Sequence, residues 1–148
     1  MKALATIIVI AAVAVGFIAY GETKEGSCQL KQGRPSDENV IKVHVGEKVK
    51  GTCKFFIEDL FGKKIISANI ELENASPVTM YCQYYVAFFD KDGNLIGCTG
   101  DRTSDKNGLG SGKSVQLGSC LIPLPIGFHE KAVQYKIAFY EAEKPIGQ

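Results

Sequence analysis

Between residues 65 and 96 the chain reads IISANIELENASPVTMYCQYYVAFFDKDGNLI, two long alternating apolar runs divided by a turn and followed by the start of a third. Side chains alternate across a strand, so Ile66, Ala68, Ile70 and Leu72 share one face while Ser67, Asn69, Glu71 and Glu73 share the other. That is the pattern of a half-buried strand. In the second run Met80, Cys82, Tyr84, Val86 and Phe88 share a face, and the opposite face carries Thr79, Tyr81, Gln83, Tyr85, Ala87 and Phe89. Apolar residues on both faces predict a central strand. Asn74, Ala75, Ser76 and Pro77 make the turn between them, and Pro77 lacks the N–H that a central ladder needs.

The same period of two recurs along the chain. Residues 40–45 carry Val40, Ile41, Val43 and Val45, and residues 48–57 set Val49, Gly51, Cys53 and Phe55 against Lys48, Lys50, Thr52 and Lys54. Strands are also expected from Leu95 through Cys98, over residues 113–123 and over residues 132–140. The stretch EDLFGKK at residues 58–64 predicts a loop with one helical turn ended by Gly62, and residues 100–112 predict a glycine-rich polar loop. About seven strands at this spacing, without an amphipathic helix, predict an all-β chain folded as an antiparallel sandwich.

A chain of 148 residues suits one such core plus a leader. Residues 1–21, MKALATIIVIAAVAVGFIAYG, hold one lysine followed by an uncharged, mostly apolar run. That is a hydrophobic leader helix, either an export signal or a membrane anchor. Small residues at Ala14/Gly16 and at Ala19/Gly21 offer two cleavage positions. Residues 22–39 are polar and aperiodic, the pattern of a tether, and residues 40–148 form the sandwich domain. The expected location is therefore exported, periplasmic or extracellular, with the membrane as a partner where the leader is retained. The net charge of +1 supplies no field for nucleic acid.

Over residues 65–141 the chain resembles the FxLYD-type domains and related immunoglobulin-like modules of exported bacterial proteins. The likeness lies in a strand ending at an Asn-containing turn (IELENAS), a strand closing on aromatic, aromatic, Asp, x, x, Gly (AFFDKDGNLIG), and a Gly-led strand (GSGKSVQLG). Phe88-Phe89-Asp90 stands where the family has Leu-Tyr-Asp, and the strands over residues 40–57 and the five cysteines are departures from it. The resemblance implies an immunoglobulin-like β-sandwich outside a bacterial membrane. It implies no chemistry.

Sites for chemistry are few. Asp90, Asp92 and Asn94 match the opening of a calcium loop, but Leu95 stands where glycine should follow and Asp101 replaces the bidentate Glu, so a hairpin turn explains them better. GLGSGKS fails the phosphate-loop spacing because Asn107 occupies the place of the first glycine. His44 and His129 have no nucleophile partner visible in the sequence. The five cysteines, Cys28, Cys53, Cys82, Cys98 and Cys120, form no C-x-x-C pair. In an exported chain they predict two disulfides: Cys28 with Cys53, and one among Cys82, Cys98 and Cys120. Tyr81, Tyr85 and Phe89 form a stripe on the second face of the central strand, which is a partner surface if exposed. The expected function is a non-catalytic exported module that binds a protein, an envelope component or a small ligand, with the role of an accessory subunit of a cell-envelope assembly and no cofactor. A metal- or redox-active exported protein using its cysteines is the alternative.

Overall fold

The computed structural model describes residues 19–34, 40–121 and 128–146. The expected leader helix lies, as far as residue 18, outside the described residues. The described residues form an all-β sandwich of eight strands: β1 (Ala19–Ser27), β2 (Ile41–Val45), β3 (Val49–Leu60), β4 (Lys63–Asn74), β5 (Tyr81–Phe89), β6 (Leu95–Arg102), β7 (Ser114–Leu121) and β8 (Gln134–Ala142), with one 3₁₀ turn at Phe128–Lys131. They form two four-stranded sheets, the first ordered β1-β8-β5-β6 and the second β2-β3-β4-β7. Every pairing between strands is antiparallel.

The period-two faces set the layers. Ile66, Ala68, Ile70 and Leu72 of β4 pack inward with Val49, Cys53 and Phe55 of β3, against Cys82, Tyr84, Val86 and Phe88 of β5 and Ile137 and Phe139 of β8. Phe55 meets Phe88 edge-on across the two layers, with ring centroids 5.7 Å apart, a geometry that contributes about 0.5–1.5 kcal/mol beyond area burial. Tyr84 also bridges the layers through its polar end: its hydroxyl donates to the Ala68 carbonyl at 2.9 Å and lies 2.9 Å from the Ser119 hydroxyl. β5 sits between β8 and β6, the central position its two apolar faces predict.

Three local expectations are corrected. The segment expected as a tether from residue 22 carries β1, whose nine residues pair with β8 from Ala19↔Ala142 to Ser27↔Gln134. Its inner face, Tyr20, Glu22, Lys24 and Gly26, has no apolar period because it meets the backbone edge of β2. The Gly46 N–H donates to Glu22 Oε2 at 2.8 Å, and the Lys24 ammonium donates to the His44 carbonyl and pairs with Glu22 at 2.9 Å. A cleavage after Gly16 leaves β1 whole, whereas one after Gly21 removes the pairs of Ala19, Tyr20 and Gly21. Residues 58–64 form no helical turn. Phe61 (φ 52°) and Gly62 (φ 75°) are both in the left-handed region, the two-residue hairpin turn that suits the twist of β3 and β4. Phe61 is 95% exposed at its tip. Finally, β6 runs on to Arg102, into the segment expected as a glycine loop.

Two buried polar side chains tie distant segments together. Glu141, on the inner face of β8 and 1% exposed, accepts the N–H groups of Lys48 at 2.7 Å and Val49 at 2.9 Å. It thereby holds the start of β3 to the first sheet. Asn74, 0% exposed at the end of β4, donates to the carbonyls of Val78 and Leu109, both at 2.8 Å. Its Oδ1 accepts from the Ser76 N–H at 2.9 Å and the Ser76 hydroxyl at 2.7 Å.

Candidate functional site

β5 is enclosed on its inner face and open on its outer one. The outward set is Tyr81, Gln83, Tyr85, Ala87 and Phe89, and its neighbours in register are Ala138 and Lys136 of β8 and Gly100 and Cys98 of β6. Tyr85 is 48% exposed. A Cβ added at Gly100 would stand 2.3 Å from the Tyr84 carbonyl oxygen and 2.7 Å from Tyr85 Cδ1, so the bare glycine leaves room for the Tyr85 ring beside it. The Gln83 amide donates to the Tyr85 hydroxyl and steadies the ring from the same strand. Gln83, Tyr85, Gly100, Asp101 and Arg102 line a shallow hollow of about 280 Å³, with Arg102 paired to Asp105 at 2.9 Å on its rim. Phe89 is half-buried, and the exposed Leu95 lies opposite it beyond a bulge at Phe88/Phe89. Of the expected stripe, Tyr85 is thus open, while Tyr81 and Phe89 are half-covered.

A second concavity, of about 710 Å³, crosses the outer face of the second sheet and is lined by Lys24, His44, Lys50, Thr52, Glu71 and Glu73 among others. All four strands of the second sheet, β2, β3, β4 and β7, and Lys24 of β1 contribute to it, so no contiguous motif announces it. The alternating charges of residues 48–54 are the one trace it leaves in the sequence.

The other residues singled out stand apart from these surfaces. Asp90 uses its carboxylate inside its own turn: Oδ1 accepts the N–H groups of Asp92 at 2.9 Å and Asn94 at 2.8 Å, and Oδ2 accepts the Asn94 amide at 3.1 Å. The Asn94 side-chain bond, followed by its backbone bond, holds the Asp90 carboxyl below the usual range. Oxygens committed in this way make the hairpin. Among the described residues no three His, Cys, Asp or Glu side chains converge as metal ligands. His44 Nδ1 lies 3.1 Å from the Thr52 hydroxyl on the outer face of the second sheet. His129 is buried, its Nε2 lies 3.8 Å from the Glu130 carboxylate, and its Nδ1 has no partner among the described residues.

The two expected disulfides are absent: all five cysteines are thiols. Cys53 and Cys82 point into the core from different sheets, and burial pushes both thiols up to about 12. Burial also pushes Cys28 up to about 11. Cys98 pairs with Ala87 and Cys120 with Ser67, which puts the two on the outer faces of opposite sheets although their strands abut, the Thr99 hydroxyl donating to the Cys120 carbonyl at 3.1 Å. A thiol reagent at pH 8 should therefore modify Cys98 and Cys120 within minutes and the other three only on unfolding. Denatured protein that titrates with one thiol instead of five would overturn the unbridged state.

No family model matches this chain, and no curated protein matches it. Among solved structures it is similar to a DUF1425 family member from Shewanella sp. pv-4, at 14% identity and a TM-score of 0.37, over 67% of this chain and 92% of that one. It is also similar to the enzymatically active domain of tailspike protein 4 of bacteriophage CBA120, at 13% identity and a TM-score of 0.27, over 74% of this chain and 18% of that one. Likenesses at these TM-scores carry no argument about activity. The candidate site rests on the chain's own geometry.

Proposed function

We propose that this chain is an exported, non-catalytic β-sandwich that binds a protein or envelope component through the outer face of its first sheet, as an accessory subunit of a cell-envelope assembly. The observation that carries this reading is Tyr85, a large aromatic side chain 48% exposed at the middle of a central strand. Tyrosine, with an apolar ring and a polar hydroxyl, is enriched at protein interfaces. The apolar leader expected over residues 1–21 supports export, and its retention would tether the module to the inner membrane.

The finer reading is an immunoglobulin-like module of FxLYD type. Strand order supports it: β3, β4 and β7 follow the A, B and E strands of such a sandwich, and β8, β5 and β6 follow F, C and C′. β1 lies where strand G would stand, although it comes first in the chain. The cysteine-based alternative draws no support from buried thiols that their surroundings keep protonated.

Site-directed photo-crosslinking in the exporting cell tests the binding face. A benzophenone side chain at position 85 should give a discrete adduct, and one at position 73, on the outer face of the second sheet, should not. No adduct from position 85, or identical adducts from both positions, would sink the assignment.

A further inference from the structure

The turn between β3 and β4 holds a large ring where neither backbone nor packing favours one. Its central residues both lie in the left-handed region, Phe61 at φ 52° and Gly62 at φ 75°, a turn that favours Asn-Gly or Asp-Gly and is strained for a bulky residue. The fold returns no contact for that strain, because the Phe61 side chain is 95% exposed. Strain of this kind points to a use outside the molecule.

The hairpin that carries the ring outruns its neighbours. β2 pairs with β3 no further than Phe55, and β7 with β4 no further than Ile66, the partner of Ile57. A bridge at Gln32↔Ile57 is the last support beside β3. Past it, among the described residues, Glu58↔Ile65, Asp59↔Lys64 and Leu60↔Lys63 continue as a ribbon of two strands, about 10 Å long at the rise of an extended strand. Leu60 is exposed next to the ring. The acids of the ribbon are engaged within it: Asp59 accepts the Gly62 N–H at 2.9 Å and pairs with Lys64 at 3.1 Å, and Glu58 accepts the Ser67 hydroxyl. Lys63 is exposed, directly across from Leu60.

More apolar surface gathers at the same end. Phe55 meets Phe88 and Tyr135, so the later part of β3 runs alongside the end of β5 and the start of β8. There Leu95 pairs with Phe89, and the Val133 N–H donates to the Phe89 carbonyl at 3.0 Å. With Leu95 and Val133, four of the six large hydrophobic side chains exposed among the described residues stand at this end. Ala19, where the described chain begins, pairs with Ala142 at the opposite end, so a leader retained in one membrane would turn the tip toward whatever surface faces that membrane.

The shape and chemistry of the tip select its counterpart. A protein pocket needs a matching rim of surface around an apolar anchor, and the ribbon sets the rest of the sandwich back from Phe61. A bilayer yields around the side chains and needs no such rim. Leucine and phenylalanine backed by lysine are also side chains of the membrane interface, the apolar part entering the acyl boundary while the ammonium stays with the phosphates. We infer that the Leu60–Phe61 tip inserts into a lipid surface, with the Lys63 ammonium at the headgroup phosphates. The insertion uses no residue of the Tyr85 face, so it stands or falls apart from the binding role proposed above.

The chain has no tryptophan, so Phe61→Trp puts a single fluorophore at the tip. The full chain as the expressing cell leaves it, held in nanodiscs if the leader is retained, is mixed with vesicles of phosphatidylethanolamine and phosphatidylglycerol carrying brominated acyl chains. Emission from F61W should shift to the blue and be quenched, whereas that from Tyr85→Trp, on the side of the sandwich, should do neither. Phe61→Asn is the companion variant, since it creates the Asn-Gly pair this turn favours. Its urea midpoint should be no lower than that of the wild type while its affinity for the vesicles, read by flotation, falls about tenfold with the loss of one buried ring. Emission from F61W that vesicles leave unmoved would overturn the insertion, as would vesicle affinity unchanged in F61N. Equal shifts at positions 61 and 85 would mean adsorption by the whole surface, and a blue shift on concentrating the protein without lipid would make a second copy the occupant; either result overturns it as well.

Discussion

Replacing Glu141 by alanine should cost this fold about 3–5 kcal/mol, the range for removing one partner of a buried charged contact. The carboxylate is 1% exposed and accepts the N–H groups of Lys48 and Val49 at 2.7 and 2.9 Å, with that of Glu47 at 3.4 Å. Val49 is itself 0% exposed, so water cannot replace the lost acceptor. Each buried N–H left without a partner costs about 1–3 kcal/mol. Glu141→Gln keeps the shape and one acceptor oxygen but turns an amide donor toward a backbone donor, and should fall between the wild type and the alanine variant. Urea unfolding measures this directly: with a slope of about 2 kcal/mol/M, the alanine variant should lose about 2 M of its midpoint. A midpoint within about 0.5 M of the wild type would mean that the β2–β3 turn is held by something else.

Asn74→Ala should be of similar size, about 3 kcal/mol, because one side chain satisfies four groups at once. Its amide donates to the carbonyls of Val78 and Leu109, and its oxygen accepts two bonds from Ser76. The Leu109 bond crosses to a loop that is also tied to Met80 by a reciprocal backbone pair at 3.0 and 2.7 Å. Asn74→Asp separates this network from simple packing, since aspartate has the same shape but presents acceptors to two carbonyls. It should be at least as damaging as alanine, and the amides of Leu109 and Met80 should lose hydrogen-exchange protection in both variants. An aspartate variant as stable as the wild type would refute the donor role.

What was legible in the sequence follows from which interactions have a period. The inward set of β4 and β5, from Ile66 to Leu72 and from Cys82 to Phe88, can be read residue by residue because burial against a facing sheet imposes period two. The same parity puts Cys53 and Cys82 in the core, which their spacing alone could not tell. β1 was not legible: its inward residues Glu22 and Lys24 serve the backbone of β2, and no hydropathy rule reports that. Nor was Glu141, whose charge marks it as a surface residue until its place on the inner face of β8 is known. The β3–β4 hairpin was hidden by Phe61, since the turn it makes favours Asn-Gly or Asp-Gly and a bulky residue there is strained. Of the candidate site, Tyr85 was visible as the middle of an aromatic stripe. The trough on the second sheet was not, because strands far apart in sequence build it.

That strained tip gives the molecule a direction. Tyr20 of β1 pairs with Glu141 of β8, at the end of the sandwich where Glu141 holds the start of β3. From there β3 runs twelve residues, about 40 Å at the rise of an extended strand, to Leu60 and the solvent-facing ring of Phe61. The ring of Phe61 thus stands at the opposite end of β3 from the segment that Glu141 holds, and the length of one hairpin sets the distance between the two.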